Sequence, residues 1–389
     1  MSSHLKLVPK ITDAVESPRR VLVISDVITA TQFISFLQPL QSGAGPAGFA
    51  LFLENCPNTA AESEALFGAI KPDFVVLSRC THPGGESVVR LARENGVPYI
   101  YHLDDDLLRV PASLGADKFR AYNNPARIHR LVAYINAADL VYVSTAPLKD
   151  ALIASGIAAE IFAGEIYCAV DSARLPQPMP SGWPVIGYMG TSGHANDLDM
   201  VLPAVERLLE EFADLRFEVF GTIQMPERLL RFGNRVMAHT ADLNYPGFIA
   251  KLHALGWWIG LAPLEDNEFN RCKADTKWVE YTATGVAAVA SDLDVYHRAC
   301  ADGAGLLVAN EAGWHGALQA LLRDGGGRER MAVRAREKLR AAYSQEALRA
   351  QVLGVLDKAK ANAAARTWWF ASNKNQVIQP PTLHDRPRT

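Results

Sequence analysis

Two lysines and a glutamate stand at helical spacing in the run Lys273-Ala274-Asp275-Thr276-Lys277-Trp278-Val279-Glu280-Tyr281. Residues three and four apart share one face of a helix, so Lys273, Lys277 and Glu280 are expected to line up. Lysines stacked this way repel unless an anion or a carboxylate lies between them. A helix start flanked by two lysines suits a diphosphate, and a carboxylate one turn further on suits ribose hydroxyls. The same spacing also fits a solvated face on which Glu280 neutralises Lys277. Gly285, an apolar run at 286–290 and Ser291-Asp292 follow, reading as a glycine stop, a short buried strand and a polar strand end.

Four other groups could do chemistry. Asp104-Asp105-Asp106 follows an apolar run at 99–103. Adjacent carboxylates at a strand end can deprotonate or orient a hydroxyl, hold a divalent cation, or cap the next helix. Gly190-Thr191-Ser192-Gly193-His194 joins an expected strand to an expected helix, where backbone N–H groups can meet an anion or simply make a tight turn. Gly221-Thr222 ends another strand and could border a nucleotide base or ribose, or be an ordinary turn. The loop Glu265-Asp266-Asn267-Glu268-Phe269-Asn270 enters the lysine helix; Asn270 is the expected cap and a candidate donor-sugar contact. His82, in Thr81-His82-Pro83-Gly84-Gly85, is either a general base or a structural side chain.

These groups need strands to carry them. Short apolar, β-branched runs are expected as strands at 20–25, 49–53, 74–78, 99–103, 140–144 and 160–163, with helical stretches such as 86–94 and 126–136 between them. A proline-rich stretch at 171–184 is the expected linker. The pattern restarts with strands at 185–189, 216–220, 236–239, 258–262, 286–290 and 305–308. Helices are expected at 197–211, 246–255, 273–284, 314–322 and 328–343. Asn196 is the expected cap of the first, and Pro203 should bend it or sit in its first turns. The fold class is α/β: two doubly wound parallel-sheet units over 1–175 and 185–345, joined by a linker at 176–184. A helical segment at 346–370 and a loose tail at 371–389 follow. Trp368-Trp369-Phe370 reads as an anchor, onto the first unit or onto a membrane face or partner protein.

Bulk properties narrow the classes. The 389 residues suit two domains, 49% apolar and 21% charged residues are globular, and a net charge of −3 gives no footprint for nucleic acid. No run is long enough for a membrane span, and the first residues lack a secretory core. Five scattered cysteines without metal spacing suggest reduced thiols and a cytoplasmic location, at most peripheral on the inner membrane face. There is no GxGxxG after the first strand, no GxxxxGK[ST] and no GxSxG, which disfavours a dinucleotide cofactor, a P-loop enzyme and an α/β-hydrolase.

The run from Lys273 to Asp292, in a chain of two such units, resembles the nucleotide-sugar site of GT-B glycosyltransferases, particularly GT4-like bacterial ones. Cys272 stands where many of these enzymes carry a first Glu, so the resemblance is to a divergent branch. It implies two Rossmann-like domains facing a cleft, and transfer of a sugar, with retention, from a UDP-, GDP- or dTDP-sugar to a glycan, lipid-linked or protein acceptor. It implies diphosphate contacts from Lys273 and Lys277 and ribose contacts from Glu280. The loop Gly190 to His194 and Gly221-Thr222 would border the donor, and Asp104, Asp105 and Arg79 the acceptor, without a catalytic metal or other cofactor. The Arg and Lys that GT4 members carry after the Gly190 loop are missing; His194 and Asp197 stand there instead. A sugar-nucleotide epimerase and a degenerate subunit that binds a nucleotide sugar or a partner are the competing expectations.

Overall fold

The computed structural model describes residues 17–41, 48–171, 175, 180–241 and 244–372, with side chains described as far as Arg366. The anchor Trp368-Trp369-Phe370 is helical in its backbone, but its side chains lie outside the described part, as do residues 172–174 and 176–179 of the expected linker and the tail beyond residue 372.

Twelve strands form two sheets. The first contains β1 (Arg19–Ser25), β2 (Phe49–Asn55), β3 (Phe74–Ser78), β4 (Tyr99–Leu103), β5 (Leu140–Val143) and β6 (Ile161–Ala163). The second contains β7 (Val185–Gly190), β8 (Arg216–Gly221), β9 (Val236–His239), β10 (Ile259–Ala262), β11 (Ala287–Ser291) and β12 (Leu306–Val308). All pairings are parallel. Parallel strands are covered by helices on both faces, so they must be apolar throughout, and Val21 to Ile24 of β1 are all fully buried.

The strand orders are β2-β1-β3-β4-β5-β6 and β12-β11-β10-β7-β8-β9. The first reverses between β1 and β3 and the second between β7 and β10. Ligands of such sheets bind beyond the carboxyl ends of the strands where the order reverses. Tyr281 marks the second reversal: its hydroxyl accepts from the Met189 N–H (3.1 Å) and donates to the Leu261 carbonyl (2.9 Å), bridging the ends of β7 and β10.

Two expected helices are broken. The stretch expected as one helix at 197–211 falls in two helices, Ala195–Asp199 and Leu202–Glu211, preceded by a 3₁₀ turn Ser192–His194. Pro203 sits in the first turn of the last, where its missing N–H costs nothing. Asn196 is not a cap; it donates to the Ser113 carbonyl of the first half (3.2 Å). The lysine helix is a short helix Glu268–Arg271, a turn, and a helix Thr276–Ala283. Asn267, not Asn270, caps the first piece, accepting from the Asn270 N–H (2.9 Å). The turn exists because the Cys272 carbonyl, which a continuous helix would use internally, accepts from Thr145 Oγ1 (2.8 Å). Phe269 and Cys272 also pack in an apolar cluster otherwise built from the first half. Tertiary packing across the cleft thus overrides local helix propensity.

The last helix, Gln345–Ser372, returns to the first sheet. Gln351 accepts from the N–H groups of Glu165 (2.7 Å) and Ile166 (3.1 Å) and donates to the Tyr142 hydroxyl (2.8 Å). Val352, Val355 and Leu356 are fully buried, and Arg366 pairs with Asp139 at 2.7 Å. No helix among the described residues is long and apolar enough to cross a membrane. All five cysteines are free and buried.

Candidate active site

Two neighbouring cavities open at the carboxyl ends of the sheets. One, of about 330 Å³, lies over the second sheet and is lined by Gly190, Thr191, His194, Gly221, Thr222, Lys277 and Glu280, with Met189, Phe220, Ala241, Phe248 and Thr276 completing its wall. The other, of about 560 Å³, lies over the first sheet's reversal and is lined by Asp26, Arg79, Asp105, Lys118, Arg127 and Lys273 among others. Thr191 and His194 line both.

The strand ends shape the smaller cavity. Gly221 has φ +125°, and a Cβ there would lie 2.2 Å from the Gly190 carbonyl oxygen, so only glycine fits. That carbonyl accepts from the N–H groups of Thr222 and Ile223, both at 3.1 Å. Thr222 Oγ1 accepts from the Ser192 N–H (3.2 Å), fastening the two loops together. Phe220 and Phe248 stack with ring centroids 4.8 Å apart and give the cavity an apolar wall. Behind Glu280, outside the cavity lining, the Tyr245 hydroxyl meets both Glu280 and Cys168.

Glu280 is buried, and burial lifts its carboxyl from the ordinary range to about 7, against the pull of Tyr245 and Lys277. Lys277 is half-buried, and burial holds its ammonium below the usual lysine range. It lies 5.7 Å from the Tyr188 ring centroid, and among the described residues it has no hydrogen bond or ion pair within 4.0 Å. A partly desolvated cation facing a cavity calls for an anion.

The acidic triplet is sorted by its surroundings. Asp104 is saturated: Arg79 Nη1 (2.8 Å) on one oxygen, Thr31 Oγ1 (2.8 Å) and the Tyr167 hydroxyl (2.9 Å) on the other. It does not line the larger cavity. Asp105 does, accepting from Lys273 Nζ (3.1 Å) with Arg79 Nη1 at 3.5 Å. Burial opposes its charge, but Lys273 and Arg79 outweigh it and hold the carboxyl well below the usual range. Asp106 is fully buried, accepts from the Leu108 N–H (3.1 Å) and faces Arg109 at 3.8 Å, a structural turn. Arg79 adopts φ +55°, uncommon for a side chain of its size, and strain of this kind collects at functional sites. Burial works against its charge, and Asp104 and Asp105 overcome it, keeping the guanidinium firmly ionised.

The structure therefore brings together Gly190, Thr191, His194, Gly221, Thr222, Lys277 and Glu280 on one side and Arg79, Asp105 and Lys273 on the other. Lys273 leaves the helix that carries Lys277 and Glu280 and turns to Asp105, so the expected single stripe is two sites. Ser192, Gly193, Asn270 and Asp104 line neither cavity; Asn270 is buried and donates to the Glu265 carbonyl (2.9 Å). His82 accepts from the Gly84 N–H (3.1 Å), a turn role, and also lines neither cavity. Sequence reasoning missed Asp26, Lys118, Phe220 and Phe248. Asp26 directly follows β1, a strand end at a reversal, and was findable on that ground. No group of three His, Cys, Asp or Glu side chains among the described residues could hold a metal ion.

The fold is GT-B: two parallel six-stranded sheets with surrounding helices, facing a cleft. Anabaena HepE, solved with UDP-glucose, superposes with a TM-score of 0.62 at 14% identity, covering 87% of this chain and 99% of that one. A glycosyltransferase from Rickettsia africae gives 0.61 at 12% identity, covering 88% and 99%. Sucrose-phosphate synthase from Thermosynechococcus elongatus gives 0.60 at 13%, covering 91% and 100%. At these identities the likeness is one of fold. No protein-family model and no curated protein matches the chain by sequence.

Proposed function

We propose that this protein is a glycosyltransferase that moves a sugar from a nucleoside-diphosphate donor to an acceptor hydroxyl. The observation that carries the reading is Lys277, a half-buried cation without a partner among the described residues, in a cavity that also offers a fastened glycine loop, a stacked phenylalanine pair and a buried glutamate. Each matches one part of a donor. The phenylalanine wall suits a base, Glu280 can accept from ribose hydroxyls, and Lys277 with the Thr191 loop suits the diphosphate. The neighbours' named activities and the UDP-glucose held by Anabaena HepE support the same class.

The larger cavity suits the acceptor. As the bond from the sugar's anomeric carbon to the diphosphate breaks, negative charge grows on the leaving oxygen, where Lys277 and Lys273 can neutralise it. The acceptor oxygen bonds to the anomeric carbon, and its proton passes to the departing phosphate or to water. Asp105, fixed between Lys273 and Arg79, can orient the acceptor hydroxyl, while Asp104 holds Arg79 in place. Retention and the GT4-like assignment, which follow from the resemblance, and a cytoplasmic setting, which follows from the scattered cysteines, belong to this proposal. Mass analysis of products from UDP-, GDP- and dTDP-sugars, incubated with and without sugar acceptors, tests it. Transfer from one donor class, lost in Lys277→Ala, is the expected result; a donor sugar isomerised without an acceptor, or no turnover of any donor, would overturn it.

A further inference from the structure

We propose that His194, held by Asp197, takes up a proton from solvent when the donor's diphosphate binds and serves as a third cation beside it. This rests on the donor reading above and deepens it. His194 Nδ1 lies 2.8 Å from Asp197 Oδ2, and the other Asp197 oxygen accepts from the Glu265 N–H (2.9 Å). Burial opposes the Asp197 charge, but His194 and the Glu265 N–H overcome it, so the carboxylate stays ionised. An ionised carboxylate fixes the proton of the neutral ring on Nδ1. The ring's free lone pair is then on Nε2, which has no hydrogen-bond partner among the described residues, while the residue lines both cavities.

Several groups face this ring. Asp197 stands on its own short helix, and Lys277 and Glu280 on the helix Thr276–Ala283. Lys273 lies in the turn before that helix, and Asp105 in the loop after β4. A Cβ on neighbouring Gly193 would lie 3.2 Å from Lys118 Nζ, and the Tyr188 hydroxyl of β7 donates to the His194 carbonyl. In the free protein burial and then Lys277 push the imidazole down to about 4, although Asp197 pulls the other way. The ring is therefore neutral at pH 7.

A bound donor reverses the balance. Each phosphate brings a negative charge, whereas Lys277 is the one Lys or Arg lining the donor cavity; Lys118 and Arg127 line only the larger cavity, and Lys273 is shared with Asp105. One phosphate charge is left only partly compensated by the shared Lys273, and the deficit grows as the sugar departs. No Lys or Arg occurs between Gly190 and Arg207 to meet it. A histidine braced by a carboxylate can, because protonation at Nε2 turns a lone pair into a charged donor without moving the ring.

The test is ¹⁵N NMR of the full chain labelled at histidine, titrated from pH 4 to 8 free and saturated with whichever of UDP-glucose, GDP-mannose or dTDP-glucose binds. His194→Gln assigns the signal. Residue-specific detection matters because Glu280 would release a proton on binding ribose, cancelling a net proton count. The expected result is a neutral Nδ1–H ring in the free protein at pH 6, and an imidazolium in the complex with a midpoint at least ~2 pH units higher, roughly a hundredfold change in proton affinity. Donor affinity should rise towards pH 7 in His194→Gln, where the proton released by Glu280 stands alone, and rise less or fall in the wild type, where uptake at His194 opposes it. A donor that binds while His194 remains neutral at pH 6 overturns this inference and leaves the donor reading intact. Failure of every nucleotide sugar to bind overturns both.

Discussion

Lys273 and Lys277 show how four residues of separation can hide two jobs. One ammonium is tied to Asp105 across the cleft; the other stands free in the donor cavity. Glu280 offers the clearest pH test. Its folded carboxyl titrates at about 7 against an ordinary 4.5, so its contribution to stability is full below pH 4.5 and is lost as pH rises through 7. Glu280→Gln should therefore match the wild type at pH 4.5 and be more stable at pH 8, by on the order of 3 kcal/mol in urea unfolding, while binding donor more weakly. Equal stability at both pH values would remove the buried charge from the account. Arg79→Ala should cost roughly 3 kcal/mol, because it leaves two largely buried carboxylates with fewer partners. Asp105→Asn should depress transfer while leaving donor affinity within about twofold; an equal loss of both would show that Asp105 serves the donor. The residues at the site were partly legible. Helical spacing pointed to Lys277, strand-end position to the acidic triplet and the resemblance to Arg79, but nothing local separates Asp104, saturated by Thr31 and Tyr167, from Asp105 beside it.

Strands were the most legible elements. Fully buried parallel strands are short apolar runs set off by polar turns, so β3 and β4 fall at the expected residues; the partly exposed edge strand β9 does too, and the others shift by a residue or two. The helix around Lys273 was misread because a contact from far away in sequence breaks it, whereas the helix expected at 197–211 stops and restarts at Pro203, as that residue predicts. Thr145 takes the Cys272 carbonyl, and the Ser113 carbonyl takes the Asn196 amide. Thr145→Val should release the first of these at a cost of about 1 kcal/mol and raise the fraction of open molecules seen by small-angle scattering. No change in the scattering profile would mean that apolar packing of Phe269 and Cys272 alone holds the turn. Gly221→Ala strikes the donor loop directly. Its φ and the nearby Gly190 carbonyl predict a loss of roughly 3 kcal/mol or more, with weakened donor binding, read by unfolding and calorimetry.

At the scale of the molecule, two sheets present their carboxyl ends to each other, and the last helix returns to brace the first. That arrangement places one cavity over each reversal of strand order and leaves Thr191 and His194 at the junction, where a sugar passing between donor and acceptor would lie. The two-unit plan was legible because the βα pattern restarts after a proline-rich stretch. The division of labour between cavities was not, because it depends on which lysine crosses the cleft. Calorimetric titration of UDP-glucose, GDP-mannose and dTDP-glucose into the wild type and Lys277→Ala tests the central claim most directly. Saturable binding of one of them, weakened at least about tenfold in the variant, is the predicted result, consistent with losing roughly 1.4 kcal/mol or more from a cation–phosphate contact. Binding unchanged by Lys277→Ala would contradict the account.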